Sequence, residues 1–150
     1  MSSARARLIT DIAGRLGRTV ELGMRMNHTA ASALGINASD MSCLQALQGG
    51  PKTAGELARH LGVTTASMTT MIDRLERAGF VTRTRDPLDR RRVLVELESG
   101  RARTDIAPLY APLVKSWRNR MGDYTEHELA VIAGFLAAIE ESFESELEPD

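Results

Sequence analysis

The sequence predicts a mostly α-helical fold carrying one small β-wing, and three observations predict it. Apolar residues recur at three- and four-residue steps along most of the chain, which is the helical period. Residues 80–97 instead split into two short runs rich in Val and Thr around an Asp-Pro turn, the pattern of a β-hairpin. Thr-x-x-Glu start signals and glycine stops punctuate the rest.

The first helix is expected over residues 5–34, where Ile9, Ile12, Leu16 and Val20 share a stripe and Arg5, Arg15, Arg18 and Arg25 lie largely between them. Gly14, Gly17 and Gly23 each weaken it by about 1 kcal/mol against alanine, and Gly35 ends it. Asn37, with Asp40 three residues on, caps a second helix bearing Met41, Leu44 and Leu47, which Gly49-Gly50-Pro51 stops. Thr53 and Glu56 form a capping box for a third helix with Leu57, Ala58 and Leu61. After Gly62, Thr64 caps a fourth helix running to about Ala78. Its stripe is Met68, Met71, Ile72 and Leu75, and Gly79 supplies its stop. The two hairpin strands are residues 80–85 and 93–97. A further helix is expected from about Arg101 to Met121, bent near Pro108 or Pro112. Thr125 and Glu128 box the last helix, striped by Leu129, Ile132, Leu136, Ile139, Phe143 and Leu147.

At 150 residues, 43% hydrophobic and 26% charged, the chain fits one globular domain or two small units sharing a core, without an internal linker. No apolar run approaches the roughly 20 residues of a membrane span, and the start at Met1-Ser2 leads into no apolar secretion block. The single cysteine, Cys43, excludes an intrachain disulfide and suits a reducing cytosol, so a soluble, cytoplasmic protein is expected. Net charge is −1 but uneven: +2 over residues 1–49, +4 over 50–104 and −7 over 105–150. The basic middle points to an anionic partner or to an ordinary solvated face.

Two short helices joined at a glycine fit a helix-turn-helix, with Ala58 at the crossing, Gly62 and Val63 in the turn and apolar anchors on both sides. An αα-hairpin in a helical core explains the same apolar residues, but not the polar face of the second helix. That face carries Ala66, Ser67, Thr70, Asp73, Arg74 and Arg77: small and hydroxyl groups that can approach bases, then arginines for phosphates. The hairpin tip, Asp89 followed by Arg90, Arg91 and Arg92, can deliver an arginine to a minor groove. The candidate DNA-contacting set is therefore Thr53, Thr64, Thr65, Ala66, Ser67, Thr69, Thr70, Arg74, Arg77, Asp89, Arg90 and Arg91, with double-stranded DNA as partner.

A protein-interaction module that kept such a fold without DNA binding is the rival, and it calls for an apolar surface where this one is basic and hydroxyl-rich. An enzyme is opposed by the lack of a phosphate loop, nucleophile elbow or paired-carboxylate motif. Cys43, beside Leu44, reads as a small core hydrophobe, and His28, His60 and His127 lack metal-ligand spacing, so no cofactor or metal is expected. Glu140, Glu141, Glu144, Glu146 and Glu148 read as a solvated helix face.

The run from Glu56 to Val81, with the wing sequence Asp86-Pro87-Leu88-Asp89-Arg90-Arg91-Arg92-Val93, resembles the multiple antibiotic resistance regulator (MarR) family over nearly the whole chain. The resemblance implies a homodimeric transcriptional regulator, most often a repressor, whose winged helix-turn-helix lobe (residues 36–98) grips a pseudo-palindromic operator. Helices 5–34 and 100–148 are then the dimerisation region, bearing Ile9, Ile12, Leu16, Leu129, Ile132, Leu136, Ile139 and Phe143. It also implies that Asp89 pairs with Arg91, and that a small effector, commonly an anionic aromatic, releases DNA from a site between the dimer helices and the lobe. One departure stands out: Leu97-Glu98-Ser99-Gly100 is a residue shorter than the family's Leu-Thr-x-x-Gly, which leaves Ser99 as the expected helix cap.

Overall fold

Ser3–Ala33 forms one 31-residue helix, α1, in a computed structural model that describes residues 3–147. Met1, Ser2 and Glu148, on which parts of the sequence reading fall, lie outside the described residues. α1 buries only Ala30 and Ala31, at its C-terminal end, where the Asn27 amide donates to the Ala38 carbonyl (3.1 Å) and to Ser42 Oγ (3.2 Å). These bonds fasten it to α2, Ala38–Ala46. Asn37 caps α2 as expected: its Oδ1 accepts the Asp40 N–H at 2.8 Å, and the Asp40 carboxylate reaches back to the Asn37 N–H.

A 3-10 turn, Leu47–Gly49, leads to β1 (Lys52–Thr53), α3 (Ala54–Leu61), α4 (Thr65–Arg77), β2 (Val81–Arg85) and β3 (Val93–Leu97). The capping boxes and glycine stops act where the sequence places them. Gly62 closes α3 at φ +65°, a left-handed conformation that costs glycine little and other residues more. One core then forms from Met41, Leu44, Leu57, Met68, Ile72, Leu75, Phe80 and Val95, all buried, so that α2, α3, α4 and the sheet share one aliphatic interior.

Two features correct the sequence reading. The wing is a three-stranded antiparallel sheet of order β1-β3-β2, in which Lys52 and Thr53 pair with Val95 and Leu94. A two-residue strand has no periodicity to read, and its partner lies some forty residues away in sequence. The cap after β3 is Glu98 rather than Ser99: its carboxylate accepts the N–H groups of Gly100 (2.7 Å) and Arg101 (3.1 Å). The helical turn it starts, α5 (Ser99–Arg101), passes through a π-turn at Ala102–Ile106 into α6 (Ala107–Met121). The irregularity thus lies just before Pro108, whose missing N–H removes a helical bond there, while Pro112 is carried inside α6.

Two compact units divide within α6, one running to Leu109 and the other beginning at Tyr110. In the second unit Gly122-Asp123-Tyr124 turns the chain, and Thr125 with Glu128 boxes α7, Glu126–Leu147. Neither α6 nor α7 has a buried residue. Among the described residues no helix is long and apolar enough to cross a membrane.

Candidate nucleic-acid interface

α4 buries Met68, Met71, Ile72 and Leu75 and leaves the opposite face exposed, so the stripe orients the helix. Thr65, Ala66, Ser67, Thr69, Thr70 and Arg77 are all exposed. Thr64 caps the helix, its Oγ1 accepting the Ser67 N–H at 3.1 Å and lying 2.9 Å from Ser67 Oγ. Thr69 and Thr70 donate their hydroxyls to the carbonyls of Thr65 (3.0 Å) and Ala66 (3.2 Å). With its proton so placed, each hydroxyl keeps its lone pairs as an acceptor, the kind of group that meets a base amino group.

Two acidic residues on α4 oppose a polyanion, and one arginine pairs with both, cutting their joint charge from −2 to −1. Arg83 on β2 pairs with Asp73 at 2.5 Å and also with Glu76. Within the strand run 80–85, Arg83 belongs to no motif that marks it. The available signal was the Asp73/Glu76 spacing of three, which stacks both carboxylates on one helix flank. Arg77 keeps its Nε on the Asp73 carbonyl (3.1 Å) and remains exposed. Arg74 is partly committed: Nε and Nη2 bond Asp40 of α2 at 3.1 and 2.5 Å. Its side chain stays 45% exposed, whereas that of Asp40 is 2% exposed.

The wing is held by its own turn. Asp86, buried, accepts the Leu88 N–H at 2.8 Å and donates its own N–H to the Arg92 carbonyl at 3.1 Å. Arg85 Nη1 donates to the Arg90 carbonyl at 2.8 Å. Asp89 accepts the backbone N–H of Arg91 at 3.0 Å, so the two residues that the resemblance pairs are joined here through the backbone. The arginine tied to carboxylates is instead Arg92, 3.4 Å from both Glu56 and Asp86. A tight turn of this kind uses an Asp side chain to fix its backbone. Arg90 and Arg91 are exposed at the tip.

Thr53 is half-buried and serves α3, accepting the Glu56 N–H at 3.2 Å while Glu56 takes the Thr53 N–H at 2.7 Å. The backbone bond from Thr53 is the main reason Glu56 titrates below the usual carboxylate range, with Arg92 and Arg59 adding to it. Cys43 is fully buried. That burial, then the charge of Asp40, pushes its thiol up to about 11, which keeps it protonated and unreactive at neutral pH. Among the described residues no cluster of His, Cys, Asp or Glu is arranged to hold a metal.

The comparisons converge on one kind of protein. The MarR family pattern matches residues 36–93, from the α2 cap to the start of β3. The chain is 39% identical over 132 residues to an uncharacterized HTH-type transcriptional regulator, YcgE, of Bacillus subtilis (strain 168), covering 85% of each. Wild-type MarR from E. coli in its apo form is 28% identical, with a TM-score of 0.56 over 84% of this chain and 95% of that one. The transcriptional regulator Tm0710 of Thermotoga maritima shares the fold at a TM-score of 0.58, with 24% identity over 93% of this chain and 99% of that one. With helix-turn-helix, wing and near full-length likeness all in place, the chain belongs to the MarR family of transcriptional regulators.

Proposed function

We propose that this regulator is a homodimeric repressor that binds a pseudo-palindromic operator through α4 and the wing and is released by a small molecule. The observation that carries DNA binding is the exposed face of α4. Small and hydroxyl side chains occupy it, Arg77 extends from it, and Arg83 pairs with both of its acids, while Arg90 and Arg91 stand free at the wing tip of the same compact unit. Hydroxyl groups and thymine-sized methyls read base edges, and the arginines supply phosphate and minor-groove contacts. A solved relative of this fold, AbfR in its overoxidized form, is described as bound to DNA, at 19% identity and a TM-score of 0.51 over 95% of this chain and 99% of that one.

Dimerisation is supported by what the chain leaves bare. α7 offers Ile132, Leu136 and Phe143 exposed, with Leu129 and Ile139 half-buried, and α1 offers Ile9 and Ile12 exposed with Leu16 half-buried. A second copy is the partner that covers such stripes symmetrically. Release by a small aromatic or anionic effector is supported by a cavity of about 430 Å³ between α1, α2, α3 and α4, lined by Met24, Asn27, His28, Leu61, Val63 and Met71 among others.

The test is a fluorescence-anisotropy titration of a labelled 30-base-pair duplex between about 50 and 200 mM salt. Saturable binding that weakens linearly in log–log coordinates, by about 0.9 per phosphate neutralised, is expected. Absence of binding at the lowest salt contradicts the proposal.

A further inference from the structure

We infer that Asp40, which lies on α2 outside the DNA-facing elements, is a positioning residue for DNA binding, because it fixes Arg74 of the recognition helix as a phosphate contact. The inference rests on the DNA-binding reading above and adds a residue to it.

Asp40 is the most deeply buried charged side chain in the lobe, at 1% exposure for the residue; one of its partners caps its own helix and the other, Arg74, ties α2 to α4. One oxygen, Oδ2, takes the Asn37 N–H and the Arg74 Nε–H; the other, Oδ1, takes Arg74 Nη2–H at 2.5 Å. Burying a carboxylate is costly unless it is paired, and a well-packed apolar pair at such a place is often as stable or more so. Stability alone therefore gives little reason for an ion pair here. Geometry gives one. A guanidinium gripped along its Nε–Nη2 edge cannot swing, and the edge left over, with Nη1, faces away from the carboxylate. That side chain is 45% exposed and stems from the α4 flank shared with Ser67 and Thr70. An arginine with one edge fixed and one edge free is prepared to meet a phosphate bidentately, with little rotamer entropy left to lose. Asp40 is itself anchored: α2 is capped through it, and α2 is bonded to α1 by Asn27. The recognition helix thereby takes its phosphate register from the α1–α2 junction.

The sign of one substitution separates this from simpler readings. Asp40→Asn removes a negative charge near the DNA face, and charge alone then strengthens binding of a polyanion. Loss of positioning weakens it. The probe is the duplex that the wild-type chain enriches from a random-sequence pool, titrated at several salt concentrations with protein shown folded by thermal melting. The expected result is a loss of about fivefold to tenfold in affinity for Asp40→Asn. The paired variant Asp40→Leu with Arg74→Met replaces the ion pair by apolar packing and serves where Asp40→Asn fails to fold. It is expected to lose about as much affinity and to flatten the salt slope by about one, a readout that a purely structural residue leaves unmoved. Unchanged or tighter binding by folded Asp40→Asn, or an unchanged slope in the paired variant, overturns the assignment while DNA binding stands. A wild-type chain that enriches no sequence overturns the DNA-binding reading and this assignment with it.

Discussion

Arginine supplies most of the cationic groups here, and its residues divide by what their guanidinium groups touch. Arg92 and Arg83 are bonded to carboxylates and hold the wing and α4 in place; Arg90 and Arg91 reach into solvent. Substitution at the two kinds of position therefore differs in kind. Arg91→Ala removes a charge free to enter a minor groove, and operator affinity is expected to fall on the order of tenfold with the melting temperature unchanged. A gel-shift titration at fixed salt, paired with a thermal melt, checks it; equal affinity contradicts the wing assignment. The bonded group was the harder one to see in the sequence. Three consecutive arginines look alike there, and only the fold shows that Arg92 turns back to Glu56 and Asp86. Asp40 was legible as a helix cap, three residues from Asn37, but its second role depends on Arg74, 34 residues away.

Local chemistry made most elements legible. Caps at Asn37, Thr53, Thr64 and Thr125 and stops at Gly62 and Gly79 act within a few residues of themselves, so the chain states them openly. β1 and the Glu98 cap were not legible for the opposite reason. One needs a distant strand, and the other uses a glutamate where Ser, Thr, Asp or Asn is the commoner cap. Within α4, the outward stripe assigns two jobs to two sets of residues. Ser67→Ala and Thr70→Ala are expected to change which operator variants are preferred, because they delete acceptors and a methyl that the proposed interface turns to base edges. Arg77→Ala is expected to weaken all sequences alike and to lower the salt slope by about one. Parallel binding profiles over a panel of single-base operator variants check both; the same profile for every substitution contradicts the division.

Across the whole molecule, charge is unevenly distributed. Residues 105–150 carry −7, so DNA attraction is confined to the rest of the chain, which is net positive. The same acidic part contains α7, 22 residues long and without a buried side chain, whose Leu136 and Phe143 are 47% and 52% exposed. Covering a few such side chains per subunit is worth several kcal/mol at about 25 cal/mol per Å2. Leu136→Asp combined with Phe143→Asp is expected to abolish the dimer in sedimentation at low micromolar concentration and to remove operator binding with it. A monomer that binds with full affinity contradicts the pairing.

Symmetry turns these separate claims into one observable. In the proposed dimer two α4 helices related by a twofold axis fall about one DNA turn apart, so the proposal requires two inverted half-sites. Selection of bound duplexes from a random-sequence pool, followed by sequencing, measures this directly. The expected outcome is one enriched motif with inverted half-sites spaced roughly 10 base pairs centre to centre. Enrichment of a lone, asymmetric half-site, or of no motif at all, contradicts the proposal of a twofold dimer reading DNA through α4 and the wing.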